Sequence, residues 1–187
     1  MQFLKQKKSQ PDNGTYFEPF MGSGVVGFNL QPKKAIFSDT NPYIIQFYKD
    51  LQNKIITPAI VREFLEEETL KLMATPADKN SYYYEVRERF NKTHTSLDFL
   101  FLQRSNFNGM IRFNNQGKYN VPFGRKPERF KKALITKIVN QVAWAQDLIV
   151  NHDWDFLCIP FEEAFSMMKP KDFLQRKVMM YSLVHVR

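Results

Sequence analysis

Cysteine is nearly absent from this sequence, and the single Cys158 excludes an internal disulfide. Chains without disulfides are typical of reducing compartments, so we expect a cytoplasmic protein. Because Cys158 lies in the apolar run from Phe156 to Ile159, we expect it to pack in the core. The few histidines are scattered and have no cysteine beside them, a pattern that does not predict a zinc site. They are His94, His152 and His185.

Long apolar runs are also missing. No run approaches the ~18 residues that a membrane-spanning helix needs. The polar start, residues 1–8, lacks the apolar centre of a signal peptide. Residues 1–14 end in Pro11-Asp12-Asn13-Gly14, which predicts a loose basic arm followed by a turn.

Negative charge is in deficit. The 19 Asp and Glu residues stand against 27 Lys and Arg, which gives a net charge of +8 and a pI near 9.5. An excess of this size favours a polyanionic partner such as nucleic acid. A basic soluble protein without such a partner has the same composition, so charge alone leaves both interpretations open. The length of 187 residues allows one domain, or one domain that carries a smaller insert.

Glycine is scarce, yet three glycines fall in the stretch Gly22-Ser23-Gly24-Val25-Val26-Gly27. Aromatic residues and a proline lead into this stretch, and apolar residues of helical period follow it. The predicted order is strand, glycine bend and helix, in which Gly22 and Gly24 let the backbone approach a ligand. A second apolar strand, 34–38, ends at Asp39, an acid placed to hydrogen-bond the hydroxyls of a ribose.

The spacing Gly-x-Gly-x-x-Gly alone is a weak signal, because an ordinary strand-to-helix turn can carry it. The strand-helix-strand frame and Asp39 favour a nucleoside-cofactor pocket. They do not separate a dinucleotide from S-adenosylmethionine. In dinucleotide-binding folds the acid follows the glycines by ~20 residues. Asp39 follows Gly27 at a shorter interval, so the first helix is predicted to be short.

A block of helices is predicted after Asp39. Asn41 followed by Pro42 is a helix-start signal, and Thr57 followed by Pro58 is another. The predicted helices cover residues 42–52, 57–73, 80–91, 96–103 and 128–146. Beyond them, a strand is predicted over 154–159 and a short helix over 160–168, and the apolar residues 178–184 are compatible with a last strand.

One segment inside this block has the period of strands. Residues 106–113 and 118–123 flank the turn Asn114-Asn115-Gln116-Gly117, which predicts a β-hairpin. Cations and aromatic rings are mixed along it, as on nucleic-acid-binding surfaces. A solvated hairpin with one buried face has the same pattern.

Three separated stretches resemble the Dam-type DNA adenine-N6 methyltransferases, the family that methylates GATC sites. Residues 17–24 are similar to the family's S-adenosylmethionine motif, residues 38–41 to its acidic ribose-binding motif, and residues 105–125 to its DNA-recognition hairpin. The resemblance runs in unbroken order from about residue 15 to about residue 173. It implies an α/β, Rossmann-like S-adenosylmethionine-dependent methyltransferase fold, incomplete here, with an inserted helical and β-hairpin DNA-recognition domain.

The resemblance implies three regions and two sets of site residues. Residues 1–54 would be the first half of the cofactor-binding domain, 55–146 the target-recognition domain, and 147–187 the return to the methyltransferase domain. The cofactor set is Phe20, Gly22, Ser23, Gly24, Asp39 and Phe161. The DNA set is Phe107, Asn108, Met110, Arg112, Pro122 and Arg125.

Individual roles are also implied by the resemblance. Asp39 would hold the cofactor ribose, and Phe161 would lie against the adenine ring of the cofactor. Phe107 matches an aromatic that enters the base stack. Arg112 suits a guanine edge, and Met110 suits a thymine methyl. The target adenine would be flipped out of the duplex toward the methyl donor.

The sequence departs from the family at three places. The catalytic tetrapeptide Asp-Pro-Pro-Tyr, expected soon after Phe173, does not occur in the 187 residues. Asn41-Pro42-Tyr43 resembles it superficially but is predicted to be a helix cap. The opening Lys-Trp-x-Gly-Gly-Lys segment is missing as well. Pro160 stands where an acidic or small polar residue is expected before Phe161.

These departures predict a truncated, frame-shifted or decayed methyltransferase whose recognition half is intact. The main hypothesis is a site-specific DNA adenine-N6 methyltransferase that uses S-adenosylmethionine on double-stranded DNA, with GATC-like sites as its target. The alternative is an inactive or partial chain that acts only as a DNA-binding module, with a possible second chain supplying the missing strands. A dinucleotide-dependent oxidoreductase is a third interpretation and rests on the glycines alone.

Overall fold

Strands and helices alternate at both ends of the described chain and enclose a helical block. The computed structural model describes residues 14–75 and 81–174. In chain order the elements are β1 (Tyr16–Glu18), α1 (Val25–Leu30), β2 (Lys34–Ser38), α2 (Pro42–Gln52), α3 (Pro58–Ala74), α4 (Ser81–Thr93), α5 (Ser96–Ser105), α6 (Lys132–Asn151), β3 (Asp153–Leu157), α7 (Phe161–Ser166) and β4 (Phe173–Leu174). Two short 3-10 turns, Phe107–Gly109 and Pro127–Phe130, lie between α5 and α6.

The four strands form one parallel sheet in the order β3-β2-β1-β4. The register is given by pairs such as Phe17 with Ile36 and Phe37 with Phe156. The chain runs outward from β1 through β2 to β3 and then crosses back, so that β4 lies on the other side of β1. Because crossovers are right-handed, this reversal puts α7 on the face opposite to α1 and α2. The α/β fold implied by the resemblance is confirmed, with the reversal between β1 and β4.

Aromatic side chains hold one face of the sheet against α1 and α2. The buried rings of Phe37 and Phe156 stack with their centroids 5.4 Å apart. Phe28 of α1 lies 5.0 Å from Trp154, and Tyr48 of α2 lies 5.3 Å from Phe156. Since each large buried ring removes ~150–250 Å² from water, this layer supplies much of the free energy that fixes the helices to the strands.

Gly27 of α1 occupies a position at which no side chain fits. A Cβ there would overlap the Phe37 ring and would lie 2.8 Å from Glu18 Oε2. Phe37 is fully buried, so its ring has no free space to move into. We therefore expect Gly27→Ala to lower the free energy of unfolding by about 2 kcal/mol, measured by urea denaturation.

Gly117→Ala is the matched control for Gly27→Ala. A Cβ at Gly117 meets nothing within 4 Å, and its φ of 72° leaves only the strain of a left-handed backbone. That strain costs about 1 kcal/mol for alanine. Equal losses of stability in the two variants would contradict the packing role of Gly27.

The helix starts predicted from the sequence are confirmed. The Asn41 side chain accepts hydrogen bonds from the N–H groups of Tyr43 and Ile44, and therefore caps α2 rather than forming part of a catalytic tetrapeptide. The Thr57 side chain caps α3 in the same way. The last helix of the block was predicted less well: α6 begins at Lys132, after a 3-10 turn, and continues to Asn151.

Polar contacts close the base of the helical block. Gln146 of α6 donates hydrogen bonds to the carbonyl oxygens of Leu51 and Ile56, at 2.8 and 3.0 Å. These carbonyls lie where the chain leaves α2, so α6 returns to the point from which the block departs. The boundaries predicted at residues 54 and 146 stay predictions, and α6 runs through the second of them.

Two further expectations need a correction or a limit. Cys158 is exposed and not in the core, because it follows Leu157, the last paired residue of β3, and lies in the loop beyond the sheet. The predicted strand at 178–184 and the predicted arm up to residue 13 lie outside the described residues. Among the described helices, none combines the length and the apolar character needed to cross a membrane.

Candidate cofactor and DNA sites

The loops at the carboxyl ends of β1, β2 and β3 lie along one edge of the sheet. Pro19–Gly24 follows β1, Asp39 follows β2, and Cys158–Pro160 follows β3. In doubly wound sheets a ligand binds at this edge, beside the point where the strand order reverses. Here the reversal lies next to β1, so the glycine bend is in the expected position.

The glycine bend is open toward solvent at Gly22 and closed at Gly24. Both residues have left-handed backbones, with φ of 47° and 62°. A Cβ on Gly22 would meet nothing within 4 Å, whereas a Cβ on Gly24 would lie 2.8 Å from the Phe28 ring. The side chain of Tyr48 supports the bend from below, because its hydroxyl donates to the carbonyl oxygen of Ser23 at 2.8 Å. The bend is therefore open above Gly22 and is supported beneath by Tyr48.

Asp39 joins the second strand to the bend. Its Oδ2 accepts a hydrogen bond from the Gly22 N–H at 3.0 Å, and its Oδ1 accepts one from the Asn41 N–H at 2.9 Å. The side chain is half-buried. Each carboxylate oxygen keeps a second lone pair, so the group can accept ligand hydroxyls while it holds the bend.

Phe20 and Phe161 approach each other across the same edge. Their ring centroids are 5.4 Å apart, and the rings are 53% and 38% exposed. Two large rings that stay in water beside an open bend form a surface on which a planar apolar group can pack. The predicted roles of Phe20, Ser23 and Phe161 toward a cofactor stay predictions.

Glu18 is a buried acid beneath the bend, and sequence analysis gave it no role. Its Oε2 accepts hydrogen bonds from the Tyr16 hydroxyl at 2.9 Å and from the Gly27 N–H at 2.8 Å. Burial raises the pKa of Glu18 to about 7, against the opposing effect of these two hydrogen bonds. A charged residue at the end of an apolar strand, directly before a glycine bend, was the available sequence signal.

Residues 106–123 form the recognition loop, where the hairpin was predicted. The two segments are held by isolated antiparallel bridges between Asn106 and Phe123 and between Phe113 and Tyr119. Regular strands do not form between them, because Phe107–Gly109 coils into a 3-10 turn and Pro122 has no N–H to donate. The hairpin of the sequence prediction is therefore a turn-linked loop.

The recognition loop has a buried and an exposed side. Tyr119, Val121 and Phe123 are buried at alternate positions. The six residues predicted to contact DNA are all exposed. They are Phe107, Asn108, Met110, Arg112, Pro122 and Arg125, the last of which follows the loop. This arrangement leaves the exposed side available to a partner, and the six contacts with DNA stay predictions.

Arg112 is oriented before any partner arrives. Its Nε donates to the Asn120 Oδ1 at 2.8 Å, and its Nη2 donates to the Asn120 carbonyl oxygen at 3.1 Å. A guanidinium has five N–H donors, so this pairing leaves others for a partner.

Tyr43 connects the edge of the sheet that carries the glycine bend to the recognition loop. Its ring stacks on Phe113 of the loop with centroids 4.9 Å apart, and on His94 at the same distance. Tyr43 lies in the first turn of α2, whose cap Asn41 donates its backbone N–H to Asp39. A short series of contacts therefore links the bend to the loop, from Gly22 through Asp39 and Asn41 to Tyr43 and Phe113.

Comparisons with known proteins give a family match and several relatives. Residues 2–174 match the model of the D12 class N6 adenine-specific DNA methyltransferase family. The chain is 36% identical over 121 residues to the type II methyltransferase M.MjaIII of Methanocaldococcus jannaschii. The matched segment covers 59% of this chain and 41% of that protein. It is 31% identical over 153 residues to the DNA adenine methylase of Haemophilus influenzae, covering 79% and 48%.

A third relative matches over a greater length. The type II methyltransferase M1.LlaDCHI of Lactococcus lactis subsp. cremoris is 26% identical over 171 residues, which cover 85% of this chain and 54% of that protein. The chain spans about half of the length of the curated relatives that it matches.

Proposed function

This chain belongs to the D12 class N6 adenine-specific DNA methyltransferase family, and on that premise we propose that it binds S-adenosylmethionine and a DNA duplex for methyl transfer to adenine N6 in GATC-like sites. The family implies a DNA substrate and a methyl donor. The identity of the donor, the target sequence and the residues that bind each of them are parts of the proposal.

The bend at Gly22 supports the proposed cofactor site. It is open above Gly22, it is braced by Asp39, and it lies beside the exposed rings of Phe20 and Phe161. These features suit a nucleoside whose ribose hydroxyls donate to Asp39 and whose base packs on a ring. When bound, S-adenosylmethionine supplies an electrophilic methyl group on its sulfonium.

The recognition loop supports the proposed DNA site. Phe107 is half exposed at the start of the loop and has the size of a wedge between bases. Arg112 presents a guanidinium that can pair with guanine O6 and N7. The exposed Arg125 and Lys126 follow the loop and can contact phosphates.

The observation that carries the proposal is the stacking of Tyr43 on Phe113. This contact ties the loop to the first turn of α2, and α2 begins beside Asp39. A duplex on the loop would therefore lie next to the glycine bend. An adenine flipped out of the base stack could there reach a methyl donor.

The described residues bind and orient; none of them is proposed to accept the proton that adenine N6 releases on methylation. The family's Asp-Pro-Pro-Tyr tetrapeptide has no counterpart in the 187 residues.

Three measurements on the full chain test the proposal. Calorimetry tests whether S-adenosylmethionine binds and NADH does not. Fluorescence anisotropy tests whether a GATC duplex binds more tightly than a scrambled duplex, with affinity that falls steeply as salt increases. Transfer of tritium from labelled S-adenosylmethionine to the duplex tests methyl transfer itself. Absence of both cofactor and duplex binding would overturn the proposal.

Arg112→Lys tests the guanine contact. Lysine keeps the charge but lacks the planar fork, so we expect nonspecific affinity and its salt dependence to change little. The preference for GATC over a duplex with the guanine replaced should fall about tenfold, because a bidentate contact contributes ~1–3 kcal/mol of discrimination. Anisotropy titrations of both duplexes measure the ratio. Wild-type discrimination in Arg112→Lys would contradict this role.

A further inference from the structure

Tyr119 of the recognition loop is held by side chains from two helices. Its ring is buried, and its hydroxyl accepts hydrogen bonds from Asn106 Nδ2 at 2.5 Å and from Gln103 Nε2 at 3.3 Å. On its backbone, the N–H donates to Asn91 Oδ1 at 2.8 Å, and the carbonyl oxygen accepts from Asn91 Nδ2 at 3.2 Å.

The Asn91 amide takes the place of a neighbouring strand. A primary amide carries an acceptor and a donor, as a peptide group does, and here both pair with one residue. The loop needs this support because its own pairing near Tyr119 consists of the isolated bridge to Phe113. Asn91 lies in α4, so the contact ties the loop to the helical block.

Tyr119 is linked to Arg112 through Asn120. The residue after Tyr119 is Asn120, whose N–H donates to the Arg112 carbonyl oxygen at 3.2 Å. The side chain and carbonyl oxygen of Asn120 in turn hold the Arg112 guanidinium. A shift of Tyr119 would therefore also shift the side chain and the carbonyl oxygen of Asn120, the two groups that hold the Arg112 guanidinium.

We propose that Asn91 is a positioning residue for target recognition: its amide fixes the backbone of Tyr119, and through Asn120 it fixes the guanidinium of Arg112. The inference rests on the proposed function, in which Arg112 contacts a guanine edge. Asn91 contacts no base in this scheme. Its substitution should change the choice of sequence more than the strength of nonspecific binding.

Two substitutions separate the functions of the amide. Asn91→Leu removes donor and acceptor at similar size. Asn91→Asp keeps the acceptor for the Tyr119 N–H but, when ionised, lacks the donor and repels the Tyr119 carbonyl oxygen. The facing Tyr119 carbonyl oxygen and partial burial disfavour the charged carboxylate and raise its pKa, so protonation as the pH falls restores a donor and the aspartate variant should recover part of the wild-type behaviour. Asn140→Asp, an exposed amide on α6, is the control for the added charge.

The first measurement needs no DNA. Amide hydrogen exchange of Tyr119 should be about tenfold faster in Asn91→Leu than in the wild type, because the acceptor of its N–H is lost. Exchange in the middle of α2 should be unchanged. Unchanged exchange at Tyr119 would overturn the inference. If Asn91→Leu does not fold, the pH dependence of Asn91→Asp decides instead.

The second measurement compares affinity for GATC and single-base variants by anisotropy at pH 5.5 and pH 8, each relative to the wild type at that pH. We expect the preference for GATC to fall about tenfold in Asn91→Leu at both pH values. In Asn91→Asp the preference should fall at pH 8 and be partly regained at pH 5.5. In Asn140→Asp the preference should equal that of the wild type. Full preference in Asn91→Leu would overturn the inference. If the wild type itself prefers no sequence, the proposed target fails, and the exchange result still decides whether Asn91 holds the loop.

Discussion

Replacement of Asp39 by asparagine should weaken the binding of S-adenosylmethionine by at least about 100-fold, close to the effect of alanine. Both carboxylate oxygens accept backbone N–H groups, one from Gly22 and one from Asn41. An asparagine has a single oxygen, so its NH₂ group must face one of these two donors. Charge-assisted hydrogen bonds contribute ~1.5–3 kcal/mol each, and the proposed ribose contact is lost as well.

Calorimetric titration with S-adenosylmethionine measures this effect. Asp153→Asn is the matched control, because Asp153 is exposed at the start of β3, at the opposite edge of the sheet, and pairs with Lys34 on the surface. We expect the control to bind as the wild type does. Affinity of Asp39→Asn within threefold of the wild type, with the fold intact by circular dichroism, would refute the assignment of the cofactor site.

Stability should fall as the pH rises toward neutrality, and Glu18 should be the cause. The pKa of Glu18 is raised by burial from 4.5 to about 7. The folded chain therefore binds more protons than the unfolded chain between these values, and the free energy of unfolding decreases as the pH rises through this window. The contribution is fully present below about pH 4.5 and is lost above about pH 7. A difference of this size corresponds to roughly 3 kcal/mol.

Glu18→Gln should remove this pH dependence. The amide oxygen of glutamine can accept from the Gly27 N–H as Glu18 Oε2 does, and the side chain stays neutral. Above pH 7 the variant should be more stable than the wild type by up to about 3 kcal/mol. Urea denaturation at pH 5, 6, 7 and 8 measures the difference between the two chains, in which the other titrating groups cancel. A difference that is independent of pH would show that Glu18 does not titrate in this window.

Local signals in the sequence predicted much of the fold. Asn41-Pro42 and Thr57-Pro58 cap and start helices through contacts within three residues, so their geometry follows from the residues alone. The glycine bend is equally local, since Gly22 and Gly24 supply left-handed backbones that other residues adopt at a cost.

The contacts that hold the candidate sites are not local, and the sequence did not reveal them. Asn91 meets Tyr119 across 28 positions, and Tyr48 meets Ser23 across 25. Nothing in the residues around Asn91 distinguishes it from an exposed helical asparagine. The predicted hairpin was wrong in detail. The alternation of residues predicted two regular paired strands, but the 3-10 turn at Phe107 and the lack of an N–H at Pro122 interrupt their hydrogen bonds.

The two hydrogen bonds of Gln146 have a consequence for how members of this family could diverge. They join the end of α2 to the later part of α6, so that the chain leaves after Ile56 and returns at Gln146 at one seam. A segment with such adjoining ends can be grafted from one relative to another without disturbing the strands that carry Asp39. We expect chimeras cut at this seam to keep the proposed cofactor site and to acquire the target preference of the grafted segment.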